Sequence, residues 1–305
     1  MSVSEDVLAQ EFSAHRSHLL GVAYRLTGSI ADAEDAIQEA WLRLSGRGDA
    51  QRAAIRDLRA WLTTVVGRIC LDRLGSAAAR RERYVGSWLP EPVITPASGD
   101  DPLDQVVRDD GVRMAAMVVL DRLTPEQRVA FVLHDAFSVP FGEIAETLGC
   151  SEPAARQHAS RGRRAVADAD PPPRAALDEQ RGLIEQFLAA FTSGDTASVV
   201  VLLHPDAVLV GDSDGKARTA RREMVGADKI VRFLVGLYQQ YGAEAITAGE
   251  LVRVNGDLGV AMPEIPAAKQ RWTLSRRVTT FAVRDGRIVA IYDIVNPDKL
   301  RNATW

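Results

Sequence analysis

Along the first 170 residues, apolar side chains recur at three- and four-residue intervals, the spacing that places them on one face of a helix. Phe12, Leu19, Leu20, Ala23 and Leu26 predict one or two amphipathic helices over Leu8 to Leu26, ending at Thr27-Gly28. Ser29 is placed to cap a second helix whose buried stripe is Ala33, Ala36, Ile37, Ala40, Trp41 and Leu44. Leu58, Trp61, Leu62, Val65, Val66, Ile69 and Leu74 predict a third. Periodicity then lapses from Val85 to Gly111, where Pro90, Pro92, Pro96 and Pro102 stand among Gly, Ser and Asp, the composition of a linker. Within it, Trp88-Leu-Pro-Glu91-Pro is too apolar to float free, so it is expected to dock.

The strongest local signal runs from Leu123 to Val166. Thr124-Pro125 opens a helix, and Phe141 to Leu148 reads as a short one with Gly149 as its left-handed C-cap. Ser151 is the next N-cap, with Pro153 in the first turn. Two helices joined by so tight a turn form a helix-turn-helix. The second carries Arg156, Gln157, His158, Ser160, Arg161, Arg163 and Arg164 with almost no large apolar residue. Arg and Gln pair with base edges in a major groove, and the trailing arginines reach phosphates. Glu152 to Arg164 is therefore read as a recognition helix rather than a solvated bundle helix.

Pro171-Pro-Pro173 stiffens a second break, and the pattern changes beyond it. Leu177 to Phe191, Thr196 to Leu203 and Gly226 to Tyr241 predict helices. His204-Pro205-Asp206 reads as a helix-ending turn, and Ala207 to Gly211 as a strand. Two hairpins follow: Leu251 to Val254 and Leu258 to Ala261 about Asn255-Gly256, then Trp272 to Val283 and Ile288 to Val295 about Asp285-Gly286. Helices followed by a long antiparallel sheet predict an α+β domain in which a curved sheet wraps the helices into a cone with a pocket.

The net charge of −4 does not announce nucleic acid, so the distribution of charge must carry that argument. Residues 1–170 hold 20 Arg and no Lys against 25 acidic residues. Asp35, Gln38 and Glu39 share one helix face, which taken alone is a solvated surface. Residues 59–84 form the first basic patch, with Arg59, Arg68, Arg73, Arg80, Arg81 and Arg83 against Asp72 and Glu82. Thr63, Thr64 and Tyr84 beside these arginines suit unpaired bases and phosphate, while Trp61 fits the core better than a stacking role. Cys70 and Cys150 lie far apart with no second ligand nearby, so no metal site, disulfide or cofactor is expected. The first residues lack a secretory leader and no apolar run is membrane-length, which predicts a cytoplasmic protein without membrane contact.

Assembled, these segments resemble the extracytoplasmic-function sigma factors of bacterial RNA polymerase, over the whole chain. Tyr24-Arg-Leu-Thr-Gly28, Asp32-Ala-Glu-Asp35-Ala-Ile-Gln38-Glu39 and Arg59-Ala-Trp61-Leu62 look like sigma domain 2, and Thr124-Pro-Glu-Gln-Arg128 with the helix-turn-helix like domain 4. Trp88-Leu-Pro-Glu-Pro92, Asp212-Ser-Asp-Gly-Lys216 and Asn296-Pro-Asp-Lys-Leu300 resemble motifs of the sigma factor J type, which carries a SnoaL-like extension of the nuclear transport factor 2-like fold. The resemblance implies two all-α sigma domains, then an α+β cone: domain 2 over 1–84, a linker over 85–111, domain 4 over 112–168, a proline linker over 169–177 and the extension over 178–305. It implies that Asp32, Asp35, Gln38 and Glu39 meet core polymerase at its β′ subunit, with β a further partner. Arg59, Trp61, Arg68, Arg73, Arg80, Arg81 and Arg83 would handle the −10 element, although Arg68 stands where such factors usually have Asn. Arg156, Gln157, Ser160, Arg161, Arg163 and Arg164 would read the −35 element. Trp88, Pro90, Glu91, Asp212, Lys216, Asn296, Pro297, Asp298, Lys299 and Leu300 would make the contacts by which the extension regulates the sigma domains in cis.

The implied function is a promoter-specific sigma factor rather than an enzyme. Two rivals concern the extension, because the cone fold also hosts isomerases, cyclases and hydrolases. Its pocket could hold a small molecule without chemistry, as a sensor. Alternatively, His204, Asp206, Asp212, Asp214, Tyr292 and Asp293 could converge in it as a catalytic site.

Overall fold

The structure is a computed structural model that describes residues 3–81, 84–96, 110–242, 247–267, 273–301, 303 and 305. The chain forms two compact units, one from residues 1–82 and 116–171, the other from 83–115 and 172–305.

The first unit is helical. Its elements are α1 (Val3–Thr27), α2 (Ile30–Ser45), α3 (Asp49–Ala53), α4 (Leu58–Arg81), α5 (Met114–Asp121, of which residues 116–121 belong here), α6 (Pro125–Phe131), a π-helical turn (Val132–Ala136), α7 (Phe141–Leu148) and α8 (Glu152–Ala169). Gly28, at φ +70°, ends α1, and Ser29 Oγ accepts the Asp32 N–H at 3.2 Å to begin α2. Leu19, Tyr24, Leu26, Ile37, Leu44, Leu62 and Ile69 are fully buried where α1, α2 and α4 meet. Thr124 and Gln127 cap α6 reciprocally.

The later helices pack on the earlier ones through small and buried polar residues. A Cβ on Gly67 of α4 would lie 2.9 Å from Leu133 Cδ1, so the leucine side chain packs directly on the glycine. Arg128 is buried, donating from Nε to the Arg25 carbonyl at 2.9 Å and pairing with Asp121 at 3.1 Å. Thr64 Oγ1 donates to Glu143 at 3.0 Å. The α4 face bearing Thr64 and Gly67 is thus covered by Glu143 and Leu133.

The second unit carries α9 (Leu177–Ser193), α10 (Thr196–Leu202), α11 (Ala227–Tyr241) and a seven-stranded sheet. Its strands are β1 (Ile94–Pro96), β2 (Leu203–Asp212), β3 (Met224–Val225), β4 (Glu250–Val254), β5 (Asp257–Met262), β6 (Arg277–Arg284) and β7 (Arg287–Ile294), in spatial order β1-β4-β5-β6-β7-β2-β3. Asn255-Gly256 and Asp285-Gly286 turn the two hairpins, all four residues having φ between +51° and +84°. Phe187, Ile230, Leu258, Phe281 and Ile291 belong to the core between helices and sheet.

Three expectations change here. The sheet is mixed, not antiparallel, because β2 runs parallel to β7. The two are distant in sequence, so no hairpin constrains their direction. The linker supplies a strand, β1 pairing with the edge of β4 in register Ile94 with Val254. Finally, His204, Pro205 and Asp206 lie within β2 rather than in a turn, at a register shift between Leu203 and Val208. A bulge tolerates the proline, which has no N–H for the ladder. Trp272 lies outside the described residues, and β6 begins at Arg277.

Candidate nucleic-acid and regulatory sites

The helix-turn-helix is built by local chemistry. Gly149 adopts φ +64°, ψ +34° at the end of α7, and Ser151 caps α8 by accepting the Ala154 N–H. The inner stripe of α8 is Ala155, Ala159 and Gly162, residues small enough to lie close on α6. A Cβ on Gly162 would meet Phe131 Cβ at 2.9 Å and the Gln127 carbonyl at 3.1 Å. The opposite side exposes Arg156, Gln157, Ser160, Arg161, Arg163 and Arg164 on one helix. Two of these are already oriented. Arg156 pairs with Glu152 and lies 4.6 Å over the Phe141 ring, while Arg163 makes a bidentate bond to Asp135 at 2.8 and 3.0 Å.

Asp32, Asp35 and Glu39 do share a face of α2, with Gln38 exposed beside them. Arg73, expected at DNA, reaches this acidic face instead, 3.4 Å from Asp35, 3.7 Å from Asp32 and 3.8 Å from Glu39. Arg59 donates to His18 Nδ1 at 3.0 Å, and Arg68 is exposed. Trp61 is half-buried rather than core, with Arg47 4.8 Å over its ring. Arg83 lies outside the described residues, and the side chains of Arg80 and Arg81 are not among those described.

In the second unit, three distant motifs meet at one carboxylate. Asp212 ends β2 fully buried. It accepts from the Tyr84 hydroxyl, from the Leu89 N–H at 2.6 Å and from Lys299 Nζ at 2.6 Å. Lys299 also donates to the Leu89 carbonyl and stands 4.1 Å from the Trp88 ring centroid. Asn296 Nδ2 donates to the Tyr84 hydroxyl at 2.7 Å. Burial and the Asp212 charge push the Tyr84 phenol well above its ordinary pKa, so it remains a donor. Pro90 and Leu300 are buried, Glu91 is half-buried, and Pro297 is exposed. At the rim, Lys216 bridges Asp214 at 2.7 Å and Asp298 at 2.6 Å, and these bonds hold both carboxyls below their usual range. Asp214 and Gly215, at φ +50° and +68°, form the turn that presents Lys216.

Sequence reasoning assigned Tyr84 to the −10 patch. Its hydroxyl is bound to Asp212 and Asn296 instead, which a lone aromatic beside arginines gives no means of foreseeing. The alternation of β2 and the turn after it could have pointed to an inward Asp212, but not to its partners.

The cone holds a half-open, mainly apolar cavity of about 90 Å³ among Phe187, Phe191, Phe233, Leu237 and Met262, with Arg277 and Asp293 in its wall. Asp293 accepts from Thr219 at 2.5 Å, Thr279 at 3.1 Å and Arg277 at 3.3 Å. The other catalytic candidates do not join it. His204 and Asp206 are exposed, Asp212 and Asp214 serve the polar cluster, and Tyr292 lines a separate recess with Arg113 and Arg174. Among the described residues no group of His, Cys, Asp or Glu could hold a metal, and no helix is long and apolar enough to cross a membrane.

Three family models match segments of the chain. The Sigma-70 region 2 family model matches residues 12–80, Sigma-70 region 4 residues 113–166, and the SnoaL-like domain residues 184–291. The ECF RNA polymerase sigma factor SigJ of Mycobacterium tuberculosis is 53% identical over 295 residues, covering 95% of this chain and 92% of the relative. The probable ECF sigma factor SigI of the same species is 35% identical, over 74% and 75%. The crystal structure of M. tuberculosis SigJ superposes with a TM-score of 0.82 at 50% identity, covering 96% of this chain and 98% of that one.

Proposed function

Because the chain belongs to the extracytoplasmic-function sigma factors of RNA polymerase, with a SnoaL-like C-terminal domain, we propose that it binds core polymerase through the acidic face of α2 and promoter DNA through α4 and α8. Asp32, Asp35, Gln38 and Glu39 would dock on the β′ subunit, with Arg73 as the acidic face's internal counter-ion until a partner's basic groups replace it. Among the described arginine side chains of α4, Arg59 and Arg68 would meet the −10 element. On α8, the preset Arg156 and its neighbours would read the −35 element, with Arg163 and Arg164 on phosphate.

The C-terminal domain acts in this reading as a regulator in cis. The single observation that carries it is Asp212, whose buried carboxylate gathers the linker and the C-terminal motif into one cluster. That cluster holds the chain between the two promoter-reading segments, so its opening and closing changes the freedom of both. A catalytic role finds less support, since its candidate residues are dispersed. The cavity is smaller than the roughly 300–1,000 Å³ usual for ligand pockets, so a sensed molecule would have to be small and apolar or enlarge it.

The test is run-off transcription from a promoter library with purified core polymerase, comparing the full chain with the Asp35→Arg, Glu39→Arg double variant and with Asp212→Asn. Loss of core binding in the double variant is expected, as is altered output for Asp212→Asn. Parental behaviour of the double variant in core pull-down sinks the docking assignment, and parental output from Asp212→Asn sinks regulation through the cluster.

A further inference from the structure

Asn255 reads in the sequence as a turn residue and nothing more. In the fold it is wholly buried at φ +54°, and both ends of its carboxamide are engaged. Oδ1 accepts the Val93 N–H at 3.0 Å, and Nδ2 donates to the Val112 carbonyl at 2.7 Å. Its backbone N–H donates to the Val93 carbonyl at 2.8 Å, and its carbonyl accepts from Arg174 at 3.1 Å. Arg174, just beyond the prolines, also pairs with Asp257 at 3.0 Å, and Arg113 donates to the Pro172 carbonyl. The chain entering the region 4 helices and the chain leaving them are therefore fastened at the same hairpin turn.

Val93 and Val112 flank residues 94–111, so one side chain holds the two ends of that stretch together. We infer that Asn255 is a positioning residue for promoter recognition, a clip that sets how far the region 2 and region 4 segments can separate. The inference rests on the sigma-factor reading and adds an anchor separable from the Asp212 cluster.

An extended chain spans at most about 3.3–3.6 Å per residue, so residues 82–112 could bridge roughly 100 Å if all were free. With 94–111 closed off, only 82–93 contribute, and the limit falls to roughly 40 Å. The −10 and −35 elements stand, by their names, about 25 base pairs apart, roughly 85 Å of duplex at about 3.4 Å per step. A shut clip thus removes roughly 60 Å, nearly two helical turns of DNA, from the span on which simultaneous reading of both elements draws. The packing of Leu133 on Gly67 keeps the two segments together while it is shut.

Two full-length variants separate the clip from a general structural role. Asn255→Gly keeps the left-handed backbone that the turn requires while removing both side-chain bonds. Asn255→Asp keeps the acceptor for Val93 and sets a carboxylate against the Val112 carbonyl. Transcription with core polymerase at limiting protein should rise for both, by roughly fivefold to tenfold for Asn255→Gly, the worth of two hydrogen bonds. The gain should shrink when the spacer is shortened by one helical turn, and affinity for an isolated −35 duplex should match the parent. Parental output from both variants at every spacing overturns the clip, as does a fall at all spacings alike with a lowered melting temperature. Asp212→Asn, run in parallel, tells the failures apart. If it alters output while Asn255 variants do not, the clip is wrong and regulation through the cluster stands; if neither does, both are wrong.

Discussion

Lys299 places its ammonium 2.6 Å from the carboxylate of Asp212, and the pair is almost dry, with side-chain exposures of 11% and 0%. Removing one partner of such a pair leaves an uncompensated buried charge, which costs about 3–5 kcal/mol. Lys299→Met should therefore destabilise the C-terminal unit strongly, even though the Leu89 N–H and the Tyr84 hydroxyl still reach Asp212. Combining it with Asp212→Asn should restore part of the loss, a coupling measurable by urea denaturation in a double-mutant cycle. Additive losses would mean that the two charges are not coupled.

Gly162 allows α8 to approach α6. Gly162→Ala puts a methyl group 2.9 Å from Phe131 Cβ and 3.1 Å from a backbone carbonyl, so a loss of about 1–3 kcal/mol is expected from overpacking, despite alanine's better helix propensity. Weaker binding to a −35 duplex should accompany it, since the exposed arginines would shift with the helix. A melting temperature equal to or above the parent's would contradict the packing argument.

Arg156 and Arg164 should fail differently. Arg156 is held by Glu152 and Phe141, and in the proposed base-reading role Arg156→Ala should cost about 1–3 kcal/mol and relax preference at one base pair. Arg164→Ala should weaken binding to all sequences alike and flatten the salt dependence. Fluorescence anisotropy on specific and scrambled duplexes at several salt concentrations distinguishes them, and equal losses on both duplexes for Arg156→Ala remove its reading role.

His18 makes the helical unit sensitive to acid. An arginine can only donate, so Nδ1 must accept from Arg59, and Nε2–H donates to Thr63 Oγ1 at 2.8 Å. The ring also meets Phe137 edge-on at 5.2 Å. Burial, then the positive charges of Arg59, His15 and Arg25, lower its pKa from 6.5 to about 4. Between those values the unfolded chain binds a proton that the folded one does not, so stability is full above pH 6.5 and falls as the pH drops toward 4. Thermal melts from pH 7.5 to 4.5 should show this slope, and His18→Gln should flatten it. An unchanged slope in that variant assigns the acid sensitivity elsewhere.

Much of the local structure was written in the sequence, because caps, turns and periodicity act over a few residues. Ser29, Thr124, Gly149, Ser151 and the Asn-Gly and Asp-Gly turns stand where their backbone chemistry requires. The exposed arginines of α8 and the shared face of Asp35 and Glu39 were legible for the same reason. Long-range pairing was not. The parallel run of β2 beside β7, the strand that Ile94–Pro96 adds to the sheet and the bulge that takes in Pro205 depend on partners far along the chain. Similarity of motif drew attention to Trp88, Asp212 and Lys299, but the tertiary structure decided their geometry, and it drew Tyr84 to Asp212 and Arg73 to the acidic face. Buried charges choose partners by proximity in the folded core, where desolvation makes an unpaired one too costly to keep. Asn255 shows the limit most clearly: the turn is legible in its sequence context, whereas its hold on Val93 and Val112 depends on tertiary contacts with residues more than 140 positions away in the chain.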